Sequence, residues 1–414
     1  MRTRRGDRSI ANLRGAVGER VLDRKRHPGL ASGMRSVAPF RADHVGSLLR
    51  PAALKEARVE LLGPDKHDTN LGAHGNAMLT AVEDEHILAL VAQQERVGLK
   101  SATDGELRRR SWFLELYMSW DGISADRTGN QELAWRSTAG KTQPFSRVWI
   151  DGPIRRRQPA IRRAFAFLRD ATELVPKVTM ASPILLHMYG GGDRGILEGH
   201  YDDLDEFWAD ATAAYRAEIA ELVDAGARYI QLDSTAMAML CDPEYRDVVR
   251  GWGRDPDDVL REYAGRINDV IAEVPPDVQI TVHECRGNRE GMFAAEGGYD
   301  PVAEVLFNAV DVDGYFLEYD TARAGTFEPL RLLPKGDKVV VLGLVSSKTP
   351  MLEAPDDLRR RIEEASQFAP LDQLALGPQC GFASSVKGNP LTEDDQWRKL
   401  ERIVDVATAV WGGL

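Results

Sequence analysis

The sequence has few cysteines and no long apolar run. Its three cysteines are an odd number, so they cannot make up a disulfide framework, and in a reducing compartment free thiols serve as ligands or nucleophiles. No run of about 18 apolar residues occurs, so no membrane span is predicted. The start also lacks an apolar signal-peptide core, and these absences together predict a cytoplasmic protein.

Positive charge is also in deficit. The 414 residues include 53 lysines and arginines against 64 acidic residues, which gives a formal net charge of -11, so binding to nucleic acid is not expected. The exception is the arginine-rich stretch 1–36. It is predicted to be a disordered extension, or upstream sequence with Met34 as the true start. Residues 37–414 are predicted to form a single catalytic domain, since a hydrophobic fraction of 43% suffices for a large core.

Eight short apolar stretches are predicted to be strands. Most of them do not alternate between apolar and polar residues, which suits strands covered on both faces. Helical stretches lie between them, so the pattern favours an α/β fold, a (β/α)8 TIM barrel, with a doubly wound sheet as the alternative. The predicted strands are 40–49, 100–106, 177–186, 229–234, 279–284, 314–320, 339–347 and 373–382.

The stretch 107–175, after the second predicted strand, is longer than a normal connection in such a fold. It contains the segments SWFLELYMSWDG and FSRVWIDGPI, which are typical of a helix and a hairpin. We therefore expect an inserted excursion here, in a position to cover the mouth of the barrel.

Side chains that bind metals gather where three of these strands end. His283 and Cys285 end the fifth strand, and residues two apart in a strand point to the same side. Glu318 lies in the sixth strand, and Cys380 lies at the end of the eighth. Barrel enzymes carry their active sites at the carboxyl ends of strands, and two thiolates, an imidazole and a carboxylate suit tetrahedral zinc. The sequence therefore predicts a Zn2+ site formed by these four side chains.

Each of these residues also has a structural interpretation. A single buried cysteine usually belongs to the core, a histidine at a strand end is usually a satisfied polar residue, and Glu318 could pair with an arginine. Cys241, in MLCDPEY, has no metal-like neighbour in the sequence and is interpreted as structural. Two of the three cysteines nevertheless fall at predicted strand ends, one of them beside a histidine. The residues alone leave both interpretations open.

From RADHVGSLLRP to DQWRKLERIVDVATAVW, the sequence resembles the cobalamin-independent methionine synthase family, most of all its short bacterial members. The similar stretches are SATDGELRRRSWF, YIQLDST, HECRGN, YFLEYD, VLGLVSSK and LALGPQCGFASS. The resemblance implies an S-methyltransferase of the 5-methyltetrahydropteroyltriglutamate–homocysteine type. Such an enzyme transfers a methyl group to a zinc-activated thiol such as homocysteine, which gives methionine.

The resemblance also assigns roles to individual residues. By motif, the zinc ligands and catalytic centre are His283, Cys285 and Cys380. Glu318 is the fourth ligand, and we hypothesise that the substrate thiol displaces it. Zinc keeps the substrate sulfur deprotonated and nucleophilic at neutral pH.

The substrate's amino-acid end needs partners of its own. By resemblance, its ammonium group is bound by Glu106 in TDGE and Asp233 in QLDS, and carboxylates at strand ends facing a pocket suit a cation. The alternative is that both carboxylates form ion pairs with the arginines at 108–110. The turn HVGSLLR is expected to place Ser47 near the substrate carboxylate, with His44 close by to bind substrate or carry a proton.

One region departs from the full-length enzymes, which stack a folate methyl donor on a tryptophan after the third strand. Here SPILLHMYGGGD places His187 and Tyr189 in that region, as candidate substrate-binding residues. Trp112 and Phe113 are candidates to replace the stacking surface, with a place in the core as the alternative. The donor therefore stays open among methyltetrahydrofolate, another methylated small molecule and a corrinoid partner protein.

Other functions fit parts of the pattern. A zinc-dependent alkyltransferase that opens epoxides with coenzyme M needs a cationic pocket, which Glu106 and Asp233 oppose. A metal-free decarboxylase of the uroporphyrinogen type needs no cysteine pair, and a structural zinc of a non-enzyme usually lies in a small loop-rich module. As partners we expect a small-molecule thiol and a methyl donor. A homodimer is compatible with the sequence, which identifies no surface for it.

Overall fold

The computed structural model describes residues 37–63, 75–125, 130–145 and 147–413. The extension predicted at 1–36 lies outside these residues. Within the described ranges, no helix combines the length and the apolar character that a membrane span requires.

A parallel sheet forms the centre of the molecule. Seven strands take part, β1 and β6 to β11, and each pairs with the next one along the chain. The strands are β1 (Ser101–Ala102), β2 (Trp120–Ser124), β3 (Asn130–Arg136), β4 (Thr142–Phe145), β5 (Trp149–Arg156), β6 (Val175–Ala181), β7 (Tyr229–Ser234), β8 (Gln279–Glu284), β9 (Gly314–Glu318), β10 (Val339–Val345) and β11 (Leu374–Pro378).

Helices connect the strands, and the longer ones bury one face. In the helix 355–366, for example, Leu358, Ile362 and Ala365 are buried at helical spacing. The last helix begins with a capping box between Thr392 and Asp395. The helices are α1 (Ala52–Leu62), α2 (Ala77–Val97), α3 (Leu114–Met118), α4 (Arg162–Ala171), α5 (Ile184–Gly190), α6 (Gly192–Leu197), α7 (Leu204–Asp224), α8 (Ala236–Met239), α9 (Pro243–Gly251), α10 (Pro256–Ile271), α11 (Ala303–Ala309), α12 (Pro355–Ser366) and α13 (Glu393–Trp411).

The segment 40–48 closes the sheet into a barrel. On one side, Ala42 forms a parallel bridge with Leu376 of β11. On the other side, the Leu48 amide donates to the Gly105 carbonyl at 3.0 Å, just beyond β1. The segment thus occupies the place of an eighth strand between the two edges. The prediction of an α/β barrel of the TIM type is confirmed.

The first two predicted strands are much shorter in the structure. Only Ala42 bridges in the first, and the second is reduced to Ser101–Ala102. Gly46 has a φ of 137° and Gly105 a φ of 64°, and these positive values turn the chain out of a strand. The six later strands are confirmed, and those from β7 to β11 are almost entirely buried because both faces are covered.

The excursion between β1 and β6 is also confirmed. It contains α3, α4 and two antiparallel strand pairs, β2 with β5 and β3 with β4. The pair of β3 with β4 is attached to the barrel through Arg136, the last residue of β3. The Arg136 amide donates to the Phe293 carbonyl at 2.7 Å, and the Phe293 amide donates to the Arg136 carbonyl at 2.8 Å. The insertion is therefore fixed against the loop that follows β8.

Candidate active site

Three ligating side chains converge at the carboxyl ends of β8 and β11. The ligand atoms of His283, Cys285 and Cys380 all lie within 4.8 Å of one another, and all three residues are buried. The two sulfur atoms are 3.7 Å apart. Two sulfurs at about 2.3 Å from a tetrahedral zinc are separated by about 3.8 Å, so the spacing fits that ion.

The histidine is oriented by the backbone of the neighbouring strand. Its Nδ1 lies 3.2 Å from the carbonyl oxygen of Phe316 in β9, which selects the tautomer that carries its proton on Nδ1. Its buried Nε2 has no hydrogen-bond partner within the described ranges. This leaves the Nε2 lone pair of His283 free to bind a metal.

The thiols differ in their surroundings. The hydrogen bond with Cys380, followed by burial, raises the pKa of Cys285 well above its ordinary value, so the Cys285 thiol keeps its proton unless a cation replaces it. Cys241 is buried too, and burial raises its pKa to about 12. It belongs to no group of three ligating side chains in the described part of the chain. Its surroundings are those of a core residue.

Glu318 lies at the end of β9 but outside this ligand group, as far as the described residues go. Its Oε2 accepts the Arg286 backbone N–H at 2.7 Å. Its Oε1 pairs with the guanidinium of Arg323 and lies 3.4 Å from Nζ of Lys348. Although burial opposes it, the positive charge of Lys348 and the two arginines lowers the pKa of Glu318 to about 2. The side chain is thus an ionised carboxylate surrounded by cations.

The ligand group lines one wall of a pocket at the barrel mouth. The space between the pocket walls, including the part open to solvent, is about 400 Å³. Its other walls come from the closing segment, the insertion and the loops after β1, β7, β8 and β11. They include Ser47, Glu106, Trp112, Trp135, Asp233, Asn288 and Ser384.

Two carboxylates line this pocket, and only one is partly neutralised by an arginine. The Oε1 of Glu106 accepts a hydrogen bond from Thr179 at 2.7 Å and lies 3.3 Å from Arg109. Its Oε2 is buried and makes no hydrogen bond with any described residue. Asp233 accepts from Gln231 at 2.6 Å, and burial, with a further contribution from Glu106, raises the pKa of Asp233 to about 7. Both carboxylates therefore keep capacity for a cation in the pocket.

Ser47 also reaches the pocket, where it faces a glycine. A Cβ added at Gly381 would lie 1.9 Å from the Ser47 hydroxyl oxygen, so a side chain there would displace this hydroxyl. The Phe382 amide donates to the Ser47 carbonyl at 2.9 Å.

His44, unlike Ser47, does not reach the pocket. It is buried inside the barrel near Lys177 and does not line the pocket, and burial, with the charge of Lys177, lowers its pKa to about 4.

A buried arginine that sequence analysis overlooked holds these loops together. Arg50 donates 2.6 Å hydrogen bonds to the carbonyl oxygens of Glu106 and Ala383, and longer ones to Leu48 and Arg109. It thereby joins the closing segment to the loops after β1 and β11. Its sequence neighbourhood, LLRP, gives no signal of this role, because the four acceptors are backbone atoms.

Comparisons with known proteins agree with this geometry. The profile of the family described as "Cobalamin-independent synthase, Catalytic domain" matches residues 180–408. The uncharacterized protein YxjH of Bacillus subtilis is 40% identical over 375 residues, which cover 90% of this chain and 95% of that protein. A putative vitamin-B12 independent methionine synthase from Listeria monocytogenes shares 36% identity and a TM-score of 0.69, over 91% of this chain and 100% of that one.

The chain belongs to the cobalamin-independent methionine synthase family. It is therefore an enzyme of the methyltransferase class. A B12-independent methionine synthase from Shewanella sp. W3-18-1, solved in complex with selenomethionine, has the same fold at 18% identity. Its TM-score is 0.64, over 89% of this chain and 97% of that one.

Two residues assigned to the substrate from sequence lie outside the pocket of this methionine synthase relative. Both ring nitrogens of His187 are engaged, Nδ1 with Tyr263 and Nε2 with Asp193, each at 2.8 Å. The hydroxyl of Tyr189 bonds to Thr235 at 2.7 Å, so Tyr189 meets the pocket only through that threonine. Their hydrogen bonds make them supports of the loops after β6 and β7.

The insertion supplies two tryptophans to the pocket instead. Trp112 lines it, whereas Phe113 does not and packs edge-on against Trp112 and Tyr189. Trp135 of β3 lines it as well and stacks on Phe145 at 4.3 Å between ring centres. Sequence analysis missed Trp135, because its place depends on how the inserted hairpin packs against the barrel.

Proposed function

We propose that this protein is a zinc-dependent S-methyltransferase that transfers a methyl group to the thiol of homocysteine, or of a close relative, to give methionine. The observation that carries the proposal is the position of His283, Cys285 and Cys380 on the wall of a pocket whose other groups include Glu106 and Asp233. A sulfur ligand pair thus lies beside an acidic site for an amine. Homocysteine has a thiol and an ammonium group to match both.

Zinc would be held by Nε2 of His283 and the sulfur atoms of Cys285 and Cys380. When bound, the ion keeps a substrate thiol ionised at neutral pH and so makes it nucleophilic. The chain's own residues position the substrate. Glu106 and Asp233 bind its ammonium group, and Ser47 donates to its carboxylate.

The same carboxylates argue for an amino-acid thiol over coenzyme M. A sulfonate in this pocket would face the side chain of Asp233 and the Oε2 of Glu106, which has no hydrogen-bond partner among the described residues. The repulsion between like charges in one pocket is unfavourable, most of all where burial weakens the screening by water. The acidic pair therefore supports homocysteine as acceptor.

The methyl donor is proposed to bind against Trp112 and Trp135. Both indoles line the pocket, and the Nε1–H of Trp135 is buried without an acceptor among the described residues. A flat heterocycle that carries nitrogen and oxygen acceptors, such as the pterin of methyltetrahydrofolate, would stack on an indole and accept this hydrogen bond. A corrinoid carried by a partner protein would instead need the metal site to be open to a macromolecule.

The first experiment measures zinc in the purified protein and follows the zinc edge by X-ray absorption as homocysteine is added. We expect about one zinc per chain, bound through two sulfurs and one nitrogen, and one further sulfur on addition of the thiol. A zinc edge that does not change when homocysteine is added, or a protein that binds no zinc, would contradict the proposed function. Methionine formation from methyltetrahydrofolate, with methylcobalamin as the competing donor, then identifies the methyl source.

A further inference from the structure

We propose that Thr179 and Gln231, two polar side chains inside the barrel, are positioning residues that make the pocket selective for a thiol that carries an amine. Each of them holds one oxygen of a pocket carboxylate, so that the other oxygen is left for the ammonium group. The inference rests on the proposed function and extends the recognition of the substrate's amine to two residues that do not line the pocket.

Both side chains lie in one layer of the barrel, one step below the residues of the pocket. Thr179 of β6 is paired in register with Gln231 of β7, and Asp233 follows two residues further along β7. Residues two apart in a strand point to the same side, so Gln231 lies on the side from which Asp233 reaches the pocket. Thr179 is 3% exposed and Gln231 is fully buried. Buried polar groups are unfavourable unless they form hydrogen bonds, so their partners indicate their role.

The hydroxyl of Thr179 fixes one oxygen of Glu106. It donates to Oε1 of Glu106 at 2.7 Å and accepts from Nη1 of Arg109 at 3.2 Å. Arg109 also donates to the Thr179 carbonyl at 2.7 Å and lies 3.3 Å from the same Oε1. Because Oε1 has these two partners, Oε2 is the oxygen that Glu106 keeps for a ligand, and it has no hydrogen bond with any described residue.

The backbone of Glu106 supports the same orientation. Its φ is 57°, a left-handed conformation that residues other than glycine rarely adopt. Hydrogen bonds stabilise it on both sides, since the Glu106 amide donates to Oδ1 of Asp104 at 2.8 Å and its carbonyl accepts from Arg50 at 2.6 Å. Such conformations persist where the surrounding contacts determine them, and they cluster at ligand sites. Glu106 is therefore held through its backbone as well as by Thr179.

Gln231 joins Asp233 to the closing segment. Its Nε2 donates to Oδ1 of Asp233 at 2.6 Å and to the Val45 carbonyl at 2.7 Å. The Val45 carbonyl can only accept, so it determines which end of the Gln231 amide carries the N–H groups. Val45 is two residues before Ser47, which the proposed function assigns to the substrate carboxylate. The amide thus links the group that binds the ammonium to the segment that binds the carboxylate.

The positions of the two carboxylates decide how well the pocket recognises an amine. Without the Thr179 hydroxyl, Glu106 can turn both oxygens to Arg109. Without the Gln231 amide, Asp233 loses the donor that orients it. A binding group displaced by about 1 Å loses much of its effect, so the selectivity for an amine depends on these two supports.

The test compares homocysteine with 4-mercaptobutanoate, which has the same thiol and carboxylate but no amine. Isothermal titration of the zinc-loaded full chain gives both affinities, and the wild type is expected to bind homocysteine more tightly. Thr179→Val keeps the shape of the side chain but removes the hydroxyl, and Gln231→Met keeps its length but removes the amide. Each variant should lose about tenfold in affinity for homocysteine and at most about twofold for the amine-free thiol, with an unchanged zinc content.

Two further variants separate positioning from a general effect on the barrel. Thr179→Ser retains the hydroxyl and should keep most of the selectivity that Thr179→Val loses. Thr281 of β8 is paired in register with Gln231 and is fully buried, but its hydroxyl has no hydrogen-bond partner among the described residues. Thr281→Val makes the same substitution in the same layer and should bind both thiols as the wild type does.

The inference is overturned if Thr179→Val and Gln231→Met bind homocysteine as the wild type does, or if they weaken both thiols equally, as a loosened barrel would. If one of them does not fold, the other still tests the inference, because the two residues hold different carboxylates. A wild type that distinguishes the two thiols no better than its variants would overturn this inference alone only if it prefers homocysteine. A wild type that binds both thiols alike would contradict the acidic amine site, and the proposed acceptor with it.

Discussion

The sulfur atoms of Cys285 and Cys380 lie 3.7 Å apart although the two cysteines are 95 positions apart in the chain. The barrel produces this meeting, since one thiol follows β8 and the other follows β11, and parallel strands end at the same rim. The third cysteine, Cys241, is equally buried but lies outside the ligand group. The chain therefore provides its own control for an experiment on the metal site.

Cys380→Ser is expected to lose zinc, and Cys241→Ser is expected to keep it. A serine hydroxyl is a poor substitute for a thiolate ligand of zinc. The zinc affinity of the Cys380→Ser variant should therefore fall by more than the roughly 10- to 100-fold that is typical when a hydrogen-bond partner of a ligand is removed. Elemental analysis after dialysis against a chelator of known affinity measures the difference. Equal zinc loss from both variants would show that the effect comes from general destabilisation.

Asp233→Asn is expected to weaken the binding of homocysteine by about 30-fold, or about 2 kcal/mol, while its zinc content is unchanged. The reason is that the substrate ammonium loses a buried, charged partner. Isothermal titration with homocysteine, and with a thiol of similar length that lacks the amine, measures the effect. The amine-free thiol should bind the variant and the wild type alike.

Asp84→Asn serves as the control for this experiment. Asp84 pairs with Arg108 and does not line the pocket. Its replacement should leave the affinity for both thiols unchanged. A loss of affinity for the amine-free thiol in Asp233→Asn would mean that Asp233 supports the metal group and does not recognise the amine.

The meeting of the three ligating side chains at one rim could be predicted from sequence, although the residues alone left open whether they bind a metal. His283 and Cys285 are two residues apart at the end of a strand, and the strand period alone places both on one side. Cys380 ends another strand of a predicted barrel, so the common rim brings it close. The same reasoning placed Glu318 at the rim correctly but could not show Arg323 and Lys348, which reach it from loops.

Other parts of the site depended on tertiary contacts that leave no local pattern. The position of Trp135 follows from the inserted hairpin, which pairs with the loop after β8 through Arg136 and Phe293. Gly287 belongs to the same contact, since a Cβ there would come within 2.7 Å of the Trp135 ring. The expectation that His44 lies near the substrate relied on its distance from Ser47 in sequence. The chain turns at Gly46, however, and leaves His44 inside the barrel.

Trp135→Ala is expected to weaken the binding of methyltetrahydrofolate by about tenfold or more, because aromatic stacking on a heterocycle contributes about 1–3 kcal/mol. Trp135→Phe keeps a ring but removes the N–H donor, and an intermediate loss is expected. Fluorescence titration of the zinc-loaded protein with the donor measures both. Binding of homocysteine should be unchanged in either variant.

Trp149→Phe is the matched control for the donor experiment. Trp149 lies in β5 of the same insertion, stacks against Arg147 and does not line the pocket. It should bind the donor like the wild type. If Trp149→Phe and Trp135→Phe weakened the binding of the donor equally, the variants would be loosening the insertion as a whole. That result would contradict the assignment of Trp135 to the donor site.

The stability of the fold is expected to decline as the pH falls from about 6.5 to 4, in part because of His44. This histidine is buried, and its pKa is lowered from 6.5 to about 4 by burial and by Lys177. Below pH 6.5 His44 binds a proton in the unfolded chain but stays neutral in the folded chain. The free energy of unfolding therefore decreases as the pH falls, by up to about 3 kcal/mol near pH 4. His44→Gln, which cannot titrate, should flatten this slope, whereas replacement of the exposed His200 should not. Urea unfolding at a series of pH values measures the difference, and parallel slopes for His44→Gln and wild type would rule out the neutral buried histidine as a cause.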